Sequence, residues 1–211
     1  MIVENAYINT LIIVIISYLI GSFPSAFLAG KLNKINIMKT GSGNIGGMNT
    51  FTSVGKIAGI IVIILDMGKG FLSAYLASKF SNHSIAVPLF AVAAAIIGHN
   101  WMIYIGFKGG KGLATLVGGL LYLSPYSILI LYFFFVPIFL VITKDVYLGT
   151  TSALFTFSFF LWGWEKSFYW CIFGIIVTIV YALKCRDLLK TYYTQNRREI
   201  YHVLKKIIKW L

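Results

Sequence analysis

Seven apolar runs separated by short polar breaks dictate what this chain can fold into. A helix needs about 20 apolar residues to cross the hydrocarbon of a bilayer. The runs fall at 7–28, 57–77, 85–103, 113–123, 126–143, 147–162 and 168–183. Only 11% of residues are charged and 59% are hydrophobic, whereas soluble domains carry roughly 25% charged residues. The pattern predicts an all-α polytopic membrane protein of about seven transmembrane helices, some of them short. The fourth run is too short to cross fully and meets Ser124-Pro125 directly, so a short or tilted helix covered by protein is expected there. A single re-entrant unit built from the fourth and fifth runs is the alternative.

Basic residues set the orientation. With the N-terminus outside, the inner loops hold Lys31, Lys34, Lys39, Lys56, Lys108, Lys111 and Lys144. The tail adds Lys184, Arg186, Lys190, Arg197, Arg198, Lys205, Lys206 and Lys209. Only Lys79 and Lys166 fall outside, and Lys69 lies within a span. The positive-inside rule therefore predicts an outer N-terminus and a cytoplasmic C-terminus. The formal charge of +12 then reflects inner loops and attraction to anionic head groups, and no nucleic-acid partner is implied. The first run is long, passes into a motif-like segment and lacks a small-residue cleavage site, so it reads as a retained helix and not a signal peptide.

Residues 1–211 read as one membrane domain without internal repeats, and 184–211 as a basic amphipathic cytoplasmic tail. In that tail Ile200, Val203, Leu204, Ile207, Ile208 and Leu211 recur at helical spacing, opposite Lys205, Lys206 and Lys209. Such a helix lies in the membrane interface, or else packs as a solvated helix on its own protein. Cys171 and Cys185 form no CxxC or Cys/His pattern, so neither a disulfide framework nor a metal site is expected.

Four polar constellations interrupt the apolar runs. Gly21-Ser22-Phe23-Pro24-Ser25 through Gly30-Lys31 ends the first run with small residues and hydroxyls, which also suits tight helix packing. Gly41-Ser42-Gly43-Asn44-Ile45-Gly46-Gly47-Met48-Asn49 interleaves glycine with short polar side chains, as a backbone anion nest does. Asp66 and Lys69 lie inside the second run. Charges at a helix centre cost roughly 2.5–3.5 kcal/mol each on insertion scales, so both are functional candidates or form a structural ion pair at three-residue spacing. Finally, Gly98-His99-Asn100 leads into Phe107-Lys108-Gly109-Gly110-Lys111-Gly112-Leu113-Ala114-Thr115. Glycines allow close approach of backbone N–H groups to a phosphate, the lysines supply charge, and His99 suits a hydrogen-bond donor or general base. The Walker A spacing, the G-x-S-x-G elbow and the H-x4-D acyltransferase arrangement are all absent.

Together these motifs resemble the bacterial membrane glycerol-3-phosphate acyltransferases of the PlsY type, which use acyl phosphate as donor. The first two constellations look like the family's G-S-x-P-x-[AG]-[YF]-L followed by G-S-G-N-x-G. Leu65-Asp66 with Lys69-Gly70 is similar to its L-D-x-x-K-G, and Gly98 to Thr115 to G-H-x7-F-K-G-G-K-G-x-A-T. The resemblance implies acyl transfer from acyl phosphate to the 1-hydroxyl of glycerol 3-phosphate, giving lysophosphatidate in phospholipid synthesis, without an acyl-enzyme, cofactor or metal. It implies His99, Asn100, Lys108 and Lys111 as the catalytic group. Ser25, Ser42, Gly43, Asn44, Asn49, Lys69, Gly109, Gly110 and Thr115 would bind substrate and phosphate. It further implies a multi-pass protein of the inner (plasma) membrane with a cytoplasmic active site, membrane lipids as surroundings, and coupling to an acyl-phosphate-producing enzyme.

The chain departs from the pattern in three places. Asn36-Ile37-Met38 stands where the family has D-[IL]-R, and Gly47-Met48-Asn49 with Thr52 where it has A-T-N-x-x-R. Lys184-Cys185-Arg186-Asp187-Leu188 stands near an H, N, E motif and keeps none of its three residues. Lysine does not reproduce bidentate arginine–phosphate recognition, so a paralogue with altered substrate or no activity is the first alternative, and Arg186, Arg197 and Arg198 are the compensating arginines within reach. A transporter of a phosphorylated solute is the second.

Overall fold

The computed structural model describes the backbone of residues 2–80 and 84–208, and the side chains of 7–80, 84–190, 193 and 194. Among these residues every extended regular element is a helix, with no strand. The helices are α1 (Ile2–Gly21), α2 (Ser25–Leu32), α3 (Gly47–Ser53), α4 (Lys56–Phe80), α5 (Ala86–Asn100), α6 (Leu113–Leu123), α7 (Pro125–Ile130), α8 (Val136–Thr143), α9 (Val146–Glu165) and α10 (Phe168–Ile208). A π-helical segment, Leu131–Phe135, joins α7 to α8, so the fifth expected run is one continuous rod.

Five stretches are long and apolar enough to cross a membrane: Tyr7–Leu32, Lys56–Phe80, Pro125–Thr143, Val146–Glu165 and Phe168–Lys190. Ala86–Asn100 and Leu113–Leu123 are apolar but shorter. These account for the expected runs; the seventh continues without a break through the expected tail as far as Ile208, and two others differ. The first run is broken at Ser22–Phe23–Pro24, because Pro24 brings no N–H to the ladder of a continuing helix. The third stops at Asn100, three residues early, where Trp101 turns out of helical geometry and Ile103–Ile105 forms a 3-10 turn. The apolar and basic faces expected along 200–211 lie outside the described side chains.

Helix α4 explains how an apolar chain builds a polar interior. Gly59, Val62, Asp66, Lys69, Gly70, Ser73, Ala74 and Ala77 are buried, a stripe at helical spacing of small and polar residues. Ile57, Ile60, Ile61, Ile64, Leu65 and Leu72 are exposed. Between helices in lipid, close packing and hydrogen bonds replace the hydrophobic drive, so small and polar residues face inward. The crossing with α6 shows the consequence: a Cβ at Gly70 would strike the Thr115 carbonyl, and one at Gly118 the Met67 carbonyl. Around this centre α5 packs on α1, α4 and α10, and α9 packs on α10 and α8. Leu89, Leu120, Leu131, Leu161 and Phe173 fill the core between them.

Candidate active site

The C-terminus of α5 shows how the lysine–glycine loop is fixed. A helix end leaves its last carbonyls without partners. Here the His99 carbonyl accepts from the Gly110 N–H at 3.1 Å. The Asn100 carbonyl accepts from Lys184 Nζ at 2.6 Å, and the Trp101 carbonyl from the Tyr18 hydroxyl at 2.8 Å. An isolated antiparallel bridge between Met102 and Lys108 closes the loop into a narrow turn. Two distant helices, α10 and α1, and the loop's own Gly110 therefore satisfy three consecutive carbonyls, and the loop is drawn back over His99. Gly112 then caps α6 with φ +79°.

The second glycine motif is held by one side chain. Asn49 Nδ2 donates to the carbonyls of Ile37, Thr40 and Asn44 at 3.0–3.1 Å. Its Oδ1 accepts from the Ser42 N–H at 3.0 Å and the Ser53 hydroxyl at 3.2 Å. The amide is thus occupied by the loop it organises. Gly41, at φ +60°, lies so close that a Cβ would strike Asn49 Oδ1.

Both loops meet over a polar pocket of about 530 Å³. Ser42, Gly43, Asn44, Lys108, Gly109 and Lys111 line it, as do Tyr147 from α9 and Lys184, Asp187 and Leu188 from α10. Lys111 Nζ sits 4.2 Å from the Tyr147 ring centroid, and Lys184 Nζ 5.6 Å from that of Trp101. Among the described residues, no carboxylate makes an ion pair with any of the three lysines. Three lysines against one carboxylate, Asp187, in the lining leave the pocket net positive, which suits a phosphate-bearing ligand.

An apolar groove of about 480 Å³ adjoins the pocket and shares Asn44 and Lys111 with it. Gly46, Gly47, Met48, Ile63, Met67, Leu113, Ala114, Val117 and Tyr132 form its walls, and Asp66 and His99 also line it. The start of α6 borders the groove at Gly112 and Leu113, presenting the positive end of a helix dipole there.

The remaining expected residues sit elsewhere. Ser25 and Lys69 belong to a buried cluster around Asp66: Oδ1 of Asp66 accepts from Ser25 Oγ at 2.5 Å and from Lys69 Nζ at 2.6 Å. Lys69 also borders a separate apolar groove between α1 and α4. Asn100 and Thr115 are wholly buried, and their side-chain polar atoms have no hydrogen-bond partner among the described residues. Gly110 lies against the His99 ring. Arg186 is exposed, pairs with Asp187 at 3.8 Å and does not line the pocket; Arg197 and Arg198 lie outside the described side chains. Met38 lines the pocket directly, and the Thr52 hydroxyl turns back to the Met48 and Asn49 carbonyls of its own helix.

Comparison with known proteins shows the family and the fold. Residues 11–194 match the family described as glycerol-3-phosphate acyltransferase. The chain belongs to the glycerol-3-phosphate acyltransferase family. A family member from Alkaliphilus metalliredigens is 35% identical over 199 residues, covering 90% of this chain and 95% of that one. Another, from Desulforamulus reducens, is 38% identical over 172 residues, covering 81% and 85%. The crystal structure of PlsY, an integral membrane glycerol 3-phosphate acyltransferase, in its glycerol 3-phosphate form, superposes with a TM-score of 0.76 at 29% identity. It spans 88% of this chain and 92% of that one. The lysophosphatidic acid form of PlsY superposes with a TM-score of 0.75.

Sequence reasoning did not single out Lys184 or Tyr147 as site residues of this acyltransferase family member. Lys184 reaches the Asn100 carbonyl across 84 positions, and Tyr147 meets Lys111 only through the packing of α9. Tyr147 stands in no local motif; Lys184 opens the segment 184–188 that stands near the family's H, N, E motif, but that segment keeps none of the motif's residues and so did not mark it.

Proposed function

We propose that this protein transfers a fatty acyl group from an acyl phosphate to the 1-hydroxyl of glycerol 3-phosphate, giving lysophosphatidate and phosphate. One observation carries the reading: a three-lysine polar pocket and an apolar groove meet at Lys111 and Asn44. A donor with a phosphate head and an acyl tail fits across that junction, and the polar pocket leaves room for a second phosphate.

In this reading Lys108, Lys111 and the Gly109 N–H hold phosphate, with Ser42 and Asn44 as side-chain partners; the N–H groups of Gly43 and Gly110 donate to the Thr40 and His99 carbonyls, so these two glycines serve by shaping the loops. The acceptor hydroxyl oxygen attacks the acyl carbonyl carbon, and the bond from that carbon to the phosphate oxygen breaks. Phosphate leaves with the electron pair. The hydroxyl proton passes to His99 or to an oxygen of a substrate phosphate. Lys111 and the N-terminal end of α6 stabilise the negative charge that develops on the carbonyl oxygen. Holding both reactants at one junction supplies much of the acceleration. Asn49 serves by shaping the Ser42–Asn44 loop, and Asn100 and Thr115 by packing behind the lysine loop.

The chain would work as one membrane unit, 1–211, with 184–211 as its basic amphipathic tail. The lysine bias supports placing the pocket at the cytoplasmic face of the inner membrane. An enzyme producing acyl phosphate at the same face would supply the donor. Purified protein in detergent, given radiolabelled glycerol 3-phosphate and palmitoyl phosphate, should form lysophosphatidate. No product beside an active relative would overturn the assignment; glycerol 3-phosphate binding retained in that case would point to an altered donor or acceptor.

A further inference from the structure

Asp66 touches no substrate in the scheme above, yet an almost wholly buried cluster is built around it. Its Oδ1 accepts hydrogen bonds from Ser25 Oγ and Lys69 Nζ, and Lys69 Nζ also donates to Ser25 Oγ at 3.1 Å. His99 Nδ1 faces the same oxygen at 3.6 Å. All four residues are at most 4% exposed. A structural ion pair would need only Asp66 and Lys69. Instead the carboxylate also faces a histidine that lines the groove beside Lys111.

We propose that Asp66 is a positioning residue for His99: its carboxylate, held by Ser25 and Lys69, fixes the imidazole with Nδ1–H toward Asp66 and Nε2 toward the lysine–glycine loop. The inference rests on the acyltransferase reading, with Nε2 as the hydrogen-bond acceptor that orients the attacking hydroxyl. A carboxylate only accepts hydrogen bonds, so the ring nitrogen facing it carries the proton and the other keeps its lone pair. Nδ1 is buried and has no hydrogen-bond partner among the described residues, which leaves Asp66 as the acceptor it faces. At 3.6 Å the contact is longer than a hydrogen bond, and such contacts tighten when a substrate complex forms. On the other side of the ring, a Cβ at Gly110 would strike Nε2. Glycine at that position leaves the nitrogen its room, and the Gly110 N–H is turned to the His99 carbonyl.

The test is a cycle of Asp66→Asn, His99→Gln and the double variant, assayed with glycerol 3-phosphate and palmitoyl phosphate. Each single substitution should lower kcat by about 10²-fold, and the double variant should be no worse than about threefold below either, because residues acting as a unit are not additive. Losses that multiply would overturn the proposal, as would Asp66→Asn at wild-type kcat. Should Asp66→Asn fail to give monodisperse protein, histidine-labelled wild-type protein decides by 15N NMR, with His99 assigned through His99→Gln. An Nδ1-protonated neutral ring supports the proposal and an Nε2-protonated one refutes it. Wild-type protein inactive on these substrates would instead sink the acyltransferase reading, and the tautomer measurement would still stand.

Discussion

The two groups of charged residues in this protein are built on opposite principles. Around Asp66 the Ser25 hydroxyl and the Lys69 ammonium find acceptors within the cluster, His99 Nδ1 faces the same carboxylate, and the groups are withdrawn into the helix bundle. At the polar pocket Lys108, Lys111 and Lys184 converge without a carboxylate ion partner among the described residues. Charge neutralised internally holds helices and side chains in register; charge left unmatched at an open pocket attracts an anion from outside. The bilayer sharpens this division, because an unpaired charge in hydrocarbon is costly while a lysine at the membrane surface is not. Breaking the Asp66–Lys69 pair should therefore damage stability as well as any positioning of His99, whereas substitutions at the open pocket should damage turnover alone.

The strongest challenge to that division is Lys69→Met, which leaves the Asp66 carboxylate buried without its cation. Removing one partner of a buried pair costs about 3–5 kcal/mol, so a marked fall in unfolding temperature in detergent is expected. Lys69→Met combined with Asp66→Asn should recover part of it, because no lone charge remains. Equal stability of the single and double variants would show that the pair contributes nothing as a pair. Lys111→Ala should give the reverse profile, with turnover down by about 10²–10³-fold, the range for loss of one preorganised charge-stabilising group, at an unchanged unfolding temperature. Wild-type rates for Lys111→Ala would move the phosphate site elsewhere.

The same contrast explains how far the sequence could be read. Apolar run lengths marked the helices closely, because burial in lipid is decided residue by residue; Leu113–Leu123 has the bounds expected for the fourth run. The motifs marked the pocket walls at Ser42–Asn44 and Lys108–Lys111, since glycine and lysine carry their chemistry locally. What the chain order concealed was which polar side chains are already occupied. Ser25, Asn49 and Lys69 have the residue types of ligand-binding groups, yet each is engaged by partners 3–44 positions away, of which the sequence spacing offered only the Asp66–Lys69 pair. Lys184 was hidden for the opposite reason: the motif expected beside it is not kept, and only the packing of α10 on α5 brings it to the pocket.

Asn49 tests an intermediate case, a buried polar group whose partners all belong to the pocket wall. Asn49→Ala leaves several loop groups without partners at about 1–3 kcal/mol for each that water cannot reach, and because most of these bonds are only part-buried water re-solvates the larger share. The expected result is a raised KM for glycerol 3-phosphate, with a smaller stability loss than for Lys69→Met. An unchanged KM would mean that the Ser42–Asn44 loop does not touch the acceptor.

The finest discrimination is between neighbours on α10. Lys184 lines the pocket and anchors the Asn100 carbonyl, whereas Arg186 is exposed and pairs with Asp187. If Lys184 holds phosphate as well as the loop, Lys184→Gln should raise KM for a phosphate-bearing substrate by about tenfold, equivalent to about 1.4 kcal/mol. It should also flatten the dependence of KM on ionic strength, because one fixed charge is gone from the site. Arg186→Gln should change KM less than twofold and stability by no more than about 0.5 kcal/mol, as for other surface positions. If Arg186→Gln proved the more damaging of the two, the anion would be bound from the outer face of α10, and the line drawn between neutralised and unmatched charge would have to be moved to include it.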